Sequence, residues 1–147
     1  MAADIADARA RIVGTARRTP LVAFEGGVSL KLETAQPIRS FKIRGAANCL
    51  RSVPRASLAR GVWTASAGNM AQGAAWVARE LGVACRVVVP EQAPRAKTDA
   101  VEALGASTER VPFDAWWAAM ATGPSPATKL ASSAASTDRK STRLNSS

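Results

Sequence analysis

Two short runs hold the residues whose types and spacing suit chemistry. The first is Pro37-Ile38-Arg39-Ser40-Phe41-Lys42-Ile43-Arg44-Gly45-Ala46, in which Lys42 follows a serine and a large aromatic. A sequestered amine can attack a carbonyl and form a Schiff base, which is covalent chemistry. The second is Thr64-Ala65-Ser66-Ala67-Gly68-Asn69-Met70-Ala71-Gln72-Gly73. Where a strand turns into a helix, backbone N–H groups and the positive helix end point into one crevice, and a carboxylate binds well there. On spacing alone, Ser66, Ala67 and Gly68 fit a tight structural turn equally well. They are not a phosphate loop of the Walker kind, because the Gly-Lys-Ser/Thr ending is missing.

Composition removes other chemistries. Histidine is absent, so Ser-His-Asp and Cys-His nucleophile systems and histidine metal sites are excluded within these residues. Cys49 and Cys85 fit no C-x-x-C pattern and are too few for a thiolate metal site. Both are expected as small core residues, and no metal is expected. Net charge is +9, from 20 Lys+Arg against 11 Asp+Glu, which raises the question of nucleic acid. The basic residues are scattered, however, as Arg9, Arg17, Arg39, Arg51 and Arg60 illustrate. A solvated surface is the preferred reading, and no nucleic-acid partner is expected. Trp63, Trp76, Trp116 and Trp117 are expected to pack in the core or at an interface, not to stack on bases.

No run of about 18 apolar residues exists, so no membrane span is expected. The opening Met1-Ala2-Ala3-Asp4-Ile5 lacks the apolar region of an export signal. A reduced, cytoplasmic protein is therefore the expected setting.

The elements that must position Lys42 and Asn69 are legible from periodicity. Residues 2–14 read as an amphipathic helix. Segments 21–24 and 28–33 read as two strands around Glu25-Gly26-Gly27, a hairpin signal. Ser40 is a good N-cap for a helix over 41–50. A strand over 61–65, a helix over 69–81 stopped by Gly82, and a strand over 83–89 follow. The last strand is nearly all apolar, as expected when both faces are buried. Pro94 is placed in the first turn of a helix running to about residue 104, with Gly105 as its stop. A strand over 107–111 and a short helix capped by Asp114 complete the series. Alternating strands and helices predict an α/β fold, a parallel sheet with flanking helices and right-handed crossovers.

Taken together, the two runs resemble the pyridoxal-phosphate enzymes of the tryptophan synthase β-subunit type (fold type II). Within these they look most like the threonine/serine dehydratases. Thr19-Pro20-Leu21, Lys31-Leu32-Glu33 and Val89-Pro90 match the same pattern, and the resemblance covers about residues 10–118. It implies pyridoxal 5′-phosphate as cofactor and Lys42 as the Schiff-base lysine that later moves the Cα proton. Phe41 would pack beside the pyridine ring, and Asn69 would hydrogen-bond the cofactor's phenolic oxygen. Backbone N–H groups of Ser66, Ala67 and Gly68 would hold the substrate carboxylate.

The reaction implied is dehydration and deamination of L-threonine or L-serine to a 2-oxo acid and ammonia. The substrate would be a small amino acid and the parent protein a homo-oligomer. Another β-eliminating or racemising reaction, and a non-catalytic fragment, stay open as alternatives. Met70 stands where dehydratases usually carry histidine, which suggests a divergent branch. Ala67 stands where serine racemases carry a catalytic serine, which favours a dehydratase.

The family's glycine-rich phosphate loop and the residue facing the pyridine nitrogen lie further along the chain than these motifs. An N-terminal fragment of a longer enzyme is therefore expected. On that reading residues 1–45 belong to the large cofactor domain and 46–121 to a small α/β domain. Residues 122–147 form a low-complexity tail outside the native fold, for 11 of the 27 residues from 121 onward are Ser or Thr.

Overall fold

The computed structural model describes residues 2–121. The low-complexity tail expected over 122–147 lies outside the described residues.

Helix α1 (Ala2–Ile12) packs on helix α2 (Lys42–Ser52). It ends two residues sooner than expected, where the Ala16 N–H bonds back to the Ile12 carbonyl at 2.9 Å. Between them, β1 (Leu21–Ala23) and β2 (Ser29–Lys31) form an antiparallel hairpin with Val22 opposite Leu30. Gly26 and Gly27 make its turn with positive φ, the conformation glycine adopts at least cost. This hairpin is exposed throughout, with Leu21 at 65% and Phe24 at 56%.

The second half alternates as the sequence predicts: β3 (Val62–Ala65), α3 (Asn69–Leu81), β4 (Cys85–Pro90), α4 (Arg95–Glu102), β5 (Ser107–Val111) and α5 (Phe113–Ala121). The three strands form one parallel sheet in the order β3-β4-β5. Helix α3 stops at Gly82, whose left-handed backbone lets its N–H reach the Ala78 and Arg79 carbonyls. Helix α4 begins one residue after Pro94, which caps it in extended conformation. Asp114 lies in the first turn of α5, not at its cap.

One core joins these elements. Ala46, Ala47 and Leu50 of α2 meet Ala71, Ala74, Ala75, Val77 and Ala78 of α3, above Val62, Cys85, Val87 and Val89 of the sheet. The small alanines of α3 let two helices and a sheet approach closely. Burying each large side chain such as Val77 or Val87 contributes about 1.5–3 kcal/mol.

Two expectations need correction. Strand β4 is not buried on both faces: Cys85, Val87 and Val89 are buried while Arg86 between them is exposed. The main core covers the face of the odd-numbered residues, and Arg86 points to the other, where it pairs with Glu109 at 3.5 Å. Cys49 is also not a core residue but exposed. It lies off the stripe Ile43, Ala46, Ala47, Leu50 that α2 buries. Cys85 is buried, and burial pushes its thiol up to about 11.

Helix α2 runs without a break through residues 45 and 46, so the division expected there falls inside one helix. Among the described residues, no helix is long and apolar enough to cross a membrane, and no group of ligating side chains suits a metal ion.

Candidate functional site

Lys42 is the first residue of α2. The Ser40 hydroxyl oxygen accepts a hydrogen bond from the Lys42 backbone N–H at 3.3 Å, so the serine satisfies one of the orphan donors of that helix end. The Lys42 side chain is half-buried. Its Nζ lies 4.6 Å from the centroid of the Phe41 ring, a cation–π contact. Phe41 itself is 56% exposed. The amine is thus dressed by an aromatic, as the sequence suggests, but the described residues do not sequester it.

Asn69 opens α3 and is exposed. The turn before it leaves the carboxyl end of β3, the edge at which parallel α/β sheets bind ligands. Its three residues are not equivalent. The Ser66 N–H extends the sheet by donating to the Val88 carbonyl at 3.1 Å. The Gly68 N–H donates to the Ser66 hydroxyl oxygen at 3.2 Å. The Ala67 and Asn69 N–H groups have no partner among the described residues. Ala67 therefore carries the one N–H of the three that is free for an incoming carboxylate, and the positive end of α3 adds to it.

Gly73 brings the two helix starts together. A Cβ there would stand 3.2 Å from the Ala46 Cβ and 3.4 Å from the Lys42 carbonyl oxygen. Gly73 lies four residues, about 6 Å of rise, beyond Asn69. Lys42 and Asn69 thus open neighbouring helices, and the missing side chain at Gly73 is what permits the approach.

A network that sequence reasoning missed holds the other side of Lys42's turn. Arg44 grips Glu33 with both arms of its guanidinium, Nε to Oε2 at 2.9 Å and Nη2 to Oε1 at 2.8 Å. The Thr19 hydroxyl donates to Glu33 Oε1 at 2.6 Å, and Gln36 Nε2 donates to Oε2 at 3.2 Å. Gln36 also bonds both polar backbone groups of Arg17, each at 2.9 Å. Arg44 and its neighbours outweigh burial and hold the Glu33 carboxyl at about 2, well below its ordinary 4.5. The available signal was the match of Lys31-Leu32-Glu33 to the family pattern, which assigned Glu33 no role.

Phe113, Trp116 and Trp117 pack together on α5, but Trp117 is 58% exposed and is not the core residue expected, because no residue of that helix is buried. Phe113 lies 5.7 Å from Trp116 and 6.3 Å from Trp117 by ring centroids. Trp76 Nε1 donates to Glu80 at 2.9 Å. Lys97 is exposed on α4.

A half-buried lysine and an exposed asparagine thus open two neighbouring helices of an α/β protein with a parallel sheet. A family model described as "Pyridoxal-phosphate dependent enzyme" matches residues 12–146, and the chain belongs to that family. It is 54% identical over 78 residues to a biosynthetic L-threonine dehydratase of Burkholderia multivorans, covering 53% of this chain and 15% of that protein. Among solved structures, the processed form of threonine deaminase isoform 2 from Solanum lycopersicum is 35% identical with a TM-score of 0.70, over 75% of this chain and 32% of that one. Serine racemase from Dictyostelium discoideum is 34% identical with a TM-score of 0.70, over 76% and 38%. The chain thus spans well under half the length of these relatives.

The family's cofactor is pyridoxal 5′-phosphate, and the residues present fit part of it. Lys42 offers an amine, Asn69 an amide without a partner among the described residues, and Ala67 and Asn69 free backbone donors at a positive helix end. An aldehyde with an adjacent phenolic oxygen, and the carboxylate of an amino acid, match this donor set.

Proposed function

We propose that the protein carrying this chain dehydrates and deaminates L-threonine or L-serine. Water leaves across Cα and Cβ and is taken up again as ammonia departs, so the hydroxy amino acid becomes a 2-oxo acid and ammonia. The observation that carries this reading is the adjacency of Lys42 and Asn69 through Gly73. The threonine dehydratase relatives support the substrate class.

Pyridoxal phosphate, when bound, supplies the electron sink that makes a Cα carbanion accessible. Lys42 would hold the cofactor through Nζ, and its amine would move the Cα proton. Asn69 would hydrogen-bond the phenolic oxygen, and Phe41 would pack beside the ring. The Ala67 N–H and the α3 terminus fix the substrate carboxylate, which presents Cα to Lys42. The Ser66 hydroxyl keeps this turn in shape through its bond from Gly68.

Borohydride trapping of limiting pyridoxal phosphate, mapped by peptide mass spectrometry, tests the assignment of Lys42. Labelling is expected at Lys42 in preference to exposed Lys97, and Lys42→Ala removes that preference. Uniform labelling of all lysines would sink the cofactor reading. Racemisation is the second reading, favoured by the serine racemase similarity. Chiral chromatography of serine incubated with the full-length protein separates the two: 2-oxo acid for the lyase, D-serine for the racemase.

A further inference from the structure

The first turn of α2 is gripped on two sides. Lys42 and Ala46, four residues apart, share the side that meets Gly73 of α3. Arg44 follows Lys42 by two residues, about 200° around the helix. On that side its guanidinium is held in a two-armed ion pair by Glu33, 2.8 Å at its shorter arm. Glu33 cannot swing away, because Thr19 and Gln36 bond the same carboxylate and both are buried. Arg44 Nη2 also donates to the Arg17 carbonyl at 3.0 Å, so the clamp includes the chain ahead of the hairpin. A helix turn fixed at two points about 200° apart cannot rotate about its axis.

We propose that Glu33 and Arg44 are positioning residues: their two-armed pair sets the rotation of the first turn of α2 and hence the direction in which Lys42 leaves it. The inference rests on the reading of Lys42 as the reactive amine. It adds that the direction of this amine is set from the segment after the hairpin, through side chains that touch neither substrate nor cofactor. A bidentate pair suits that task, because it resists rotation as a single point contact does not. Arg44→Lys keeps the charge and loses the fork, so it separates rotation from charge.

The test compares amine reactivity at Lys42 and Lys97 in the same molecule, by two reagents. One is pyridoxal phosphate with borohydride. The other is a small neutral acylating reagent that needs no cofactor site. In folded Glu33→Gln and Arg44→Lys chains the Lys42-to-Lys97 ratio is expected to fall about 10-fold or more with pyridoxal phosphate, since misplacement of this kind costs up to about 100-fold. It is expected to shift measurably with the acylating reagent. The exchanged pair Glu33→Arg with Arg44→Glu restores much of both ratios. Arg51→Met, at the other end of the same helix, changes stability and leaves both ratios alone.

Unchanged ratios under both reagents in folded variants would overturn the proposal, leaving the pair as a strut. An acylation shift without selective pyridoxal labelling of the unmodified chain sinks the cofactor reading and keeps the clamp. Should the single variants unfold, the exchanged pair decides: a restored fold without restored ratios overturns the clamp.

Discussion

At both ends of α2 an arginine holds a carboxylate supplied by another element, yet the two ends are built differently. At the far end Arg51 donates to Glu80 of α3 at 3.1 Å and to the buried Thr15 hydroxyl at 2.7 Å. Leu50, Val77 and Ala78 pack beneath in the main core. At the site end Glu33 comes from the segment after an exposed hairpin, and the buried apolar residues Ile38 and Ile43 stand outside the main core cluster. The far end is apolar packing with a polar rim. The site end is a polar network set on a small apolar patch of its own, Ile38 and Ile43. Close packing leaves little room for a ligand, so the end that must admit one relies on directed bonds instead.

The strongest way to break this contrast is Ile43→Ala. Ile43 is fully buried and is the largest apolar side chain behind Lys42's turn. Removing it is expected to cost about 2–5 kcal/mol in urea unfolding. It should also weaken the selective labelling of Lys42. A cost under about 1 kcal/mol would mean that the site end does not depend on its thin apolar support.

Acid sharpens the comparison. The Glu33 carboxyl is held at about 2 against an ordinary 4.5. Its stabilisation is complete above pH 4.5 and is lost as pH falls towards 2. Glu80 is also lowered: burial raises it, but bonds from Thr15, Trp76 and Arg51 outweigh that. Both ends therefore weaken in acid. Glu33→Gln is expected to cost about 1–2 kcal/mol near neutral pH, since the pair is charged but partly exposed. It should also flatten the acid limb of stability against pH more than Glu80→Gln does. Equal flattening by the two would erase the difference between the ends.

Sequence periodicity reached the regular elements because local rules govern them. The bounds of α3 and β5 were legible, since Gly82 stops one and Gly105 precedes the other. The sheet's alternation at β4 was not, because Val-Val-Val reads as apolar throughout, while the open face is marked only by Arg86. At the site, Lys42 and Asn69 stood out by type and setting. The Glu33–Arg44 clamp did not, because it joins residues of two separate elements and neither is unusual where it stands. The unequal roles of Ser66, Ala67 and Gly68 depend on which N–H the sheet takes, and only the fold settles that.

Arg39 gives the smallest effect and the opposite sign. It is the one non-glycine residue with positive φ, 54°, among the described residues. Its N–H donates to the Gln36 carbonyl at 2.8 Å, so the same turn that carries the clamp bends the chain into Ser40 and Lys42. A left-handed backbone costs a residue with a Cβ about 1–2 kcal/mol. Glycine relieves that strain but gives back about 0.5–1 kcal/mol in unfolded-chain entropy. Arg39→Gly is therefore expected to raise stability by about 0.5 kcal/mol in urea unfolding. If the site end is set by directed bonds, the Lys42-to-Lys97 labelling ratio stays where it was, because Glu33 and Arg44 still grip. A fall in that ratio would show that the exposed Arg39 side chain, three residues before Lys42, takes part in setting the amine.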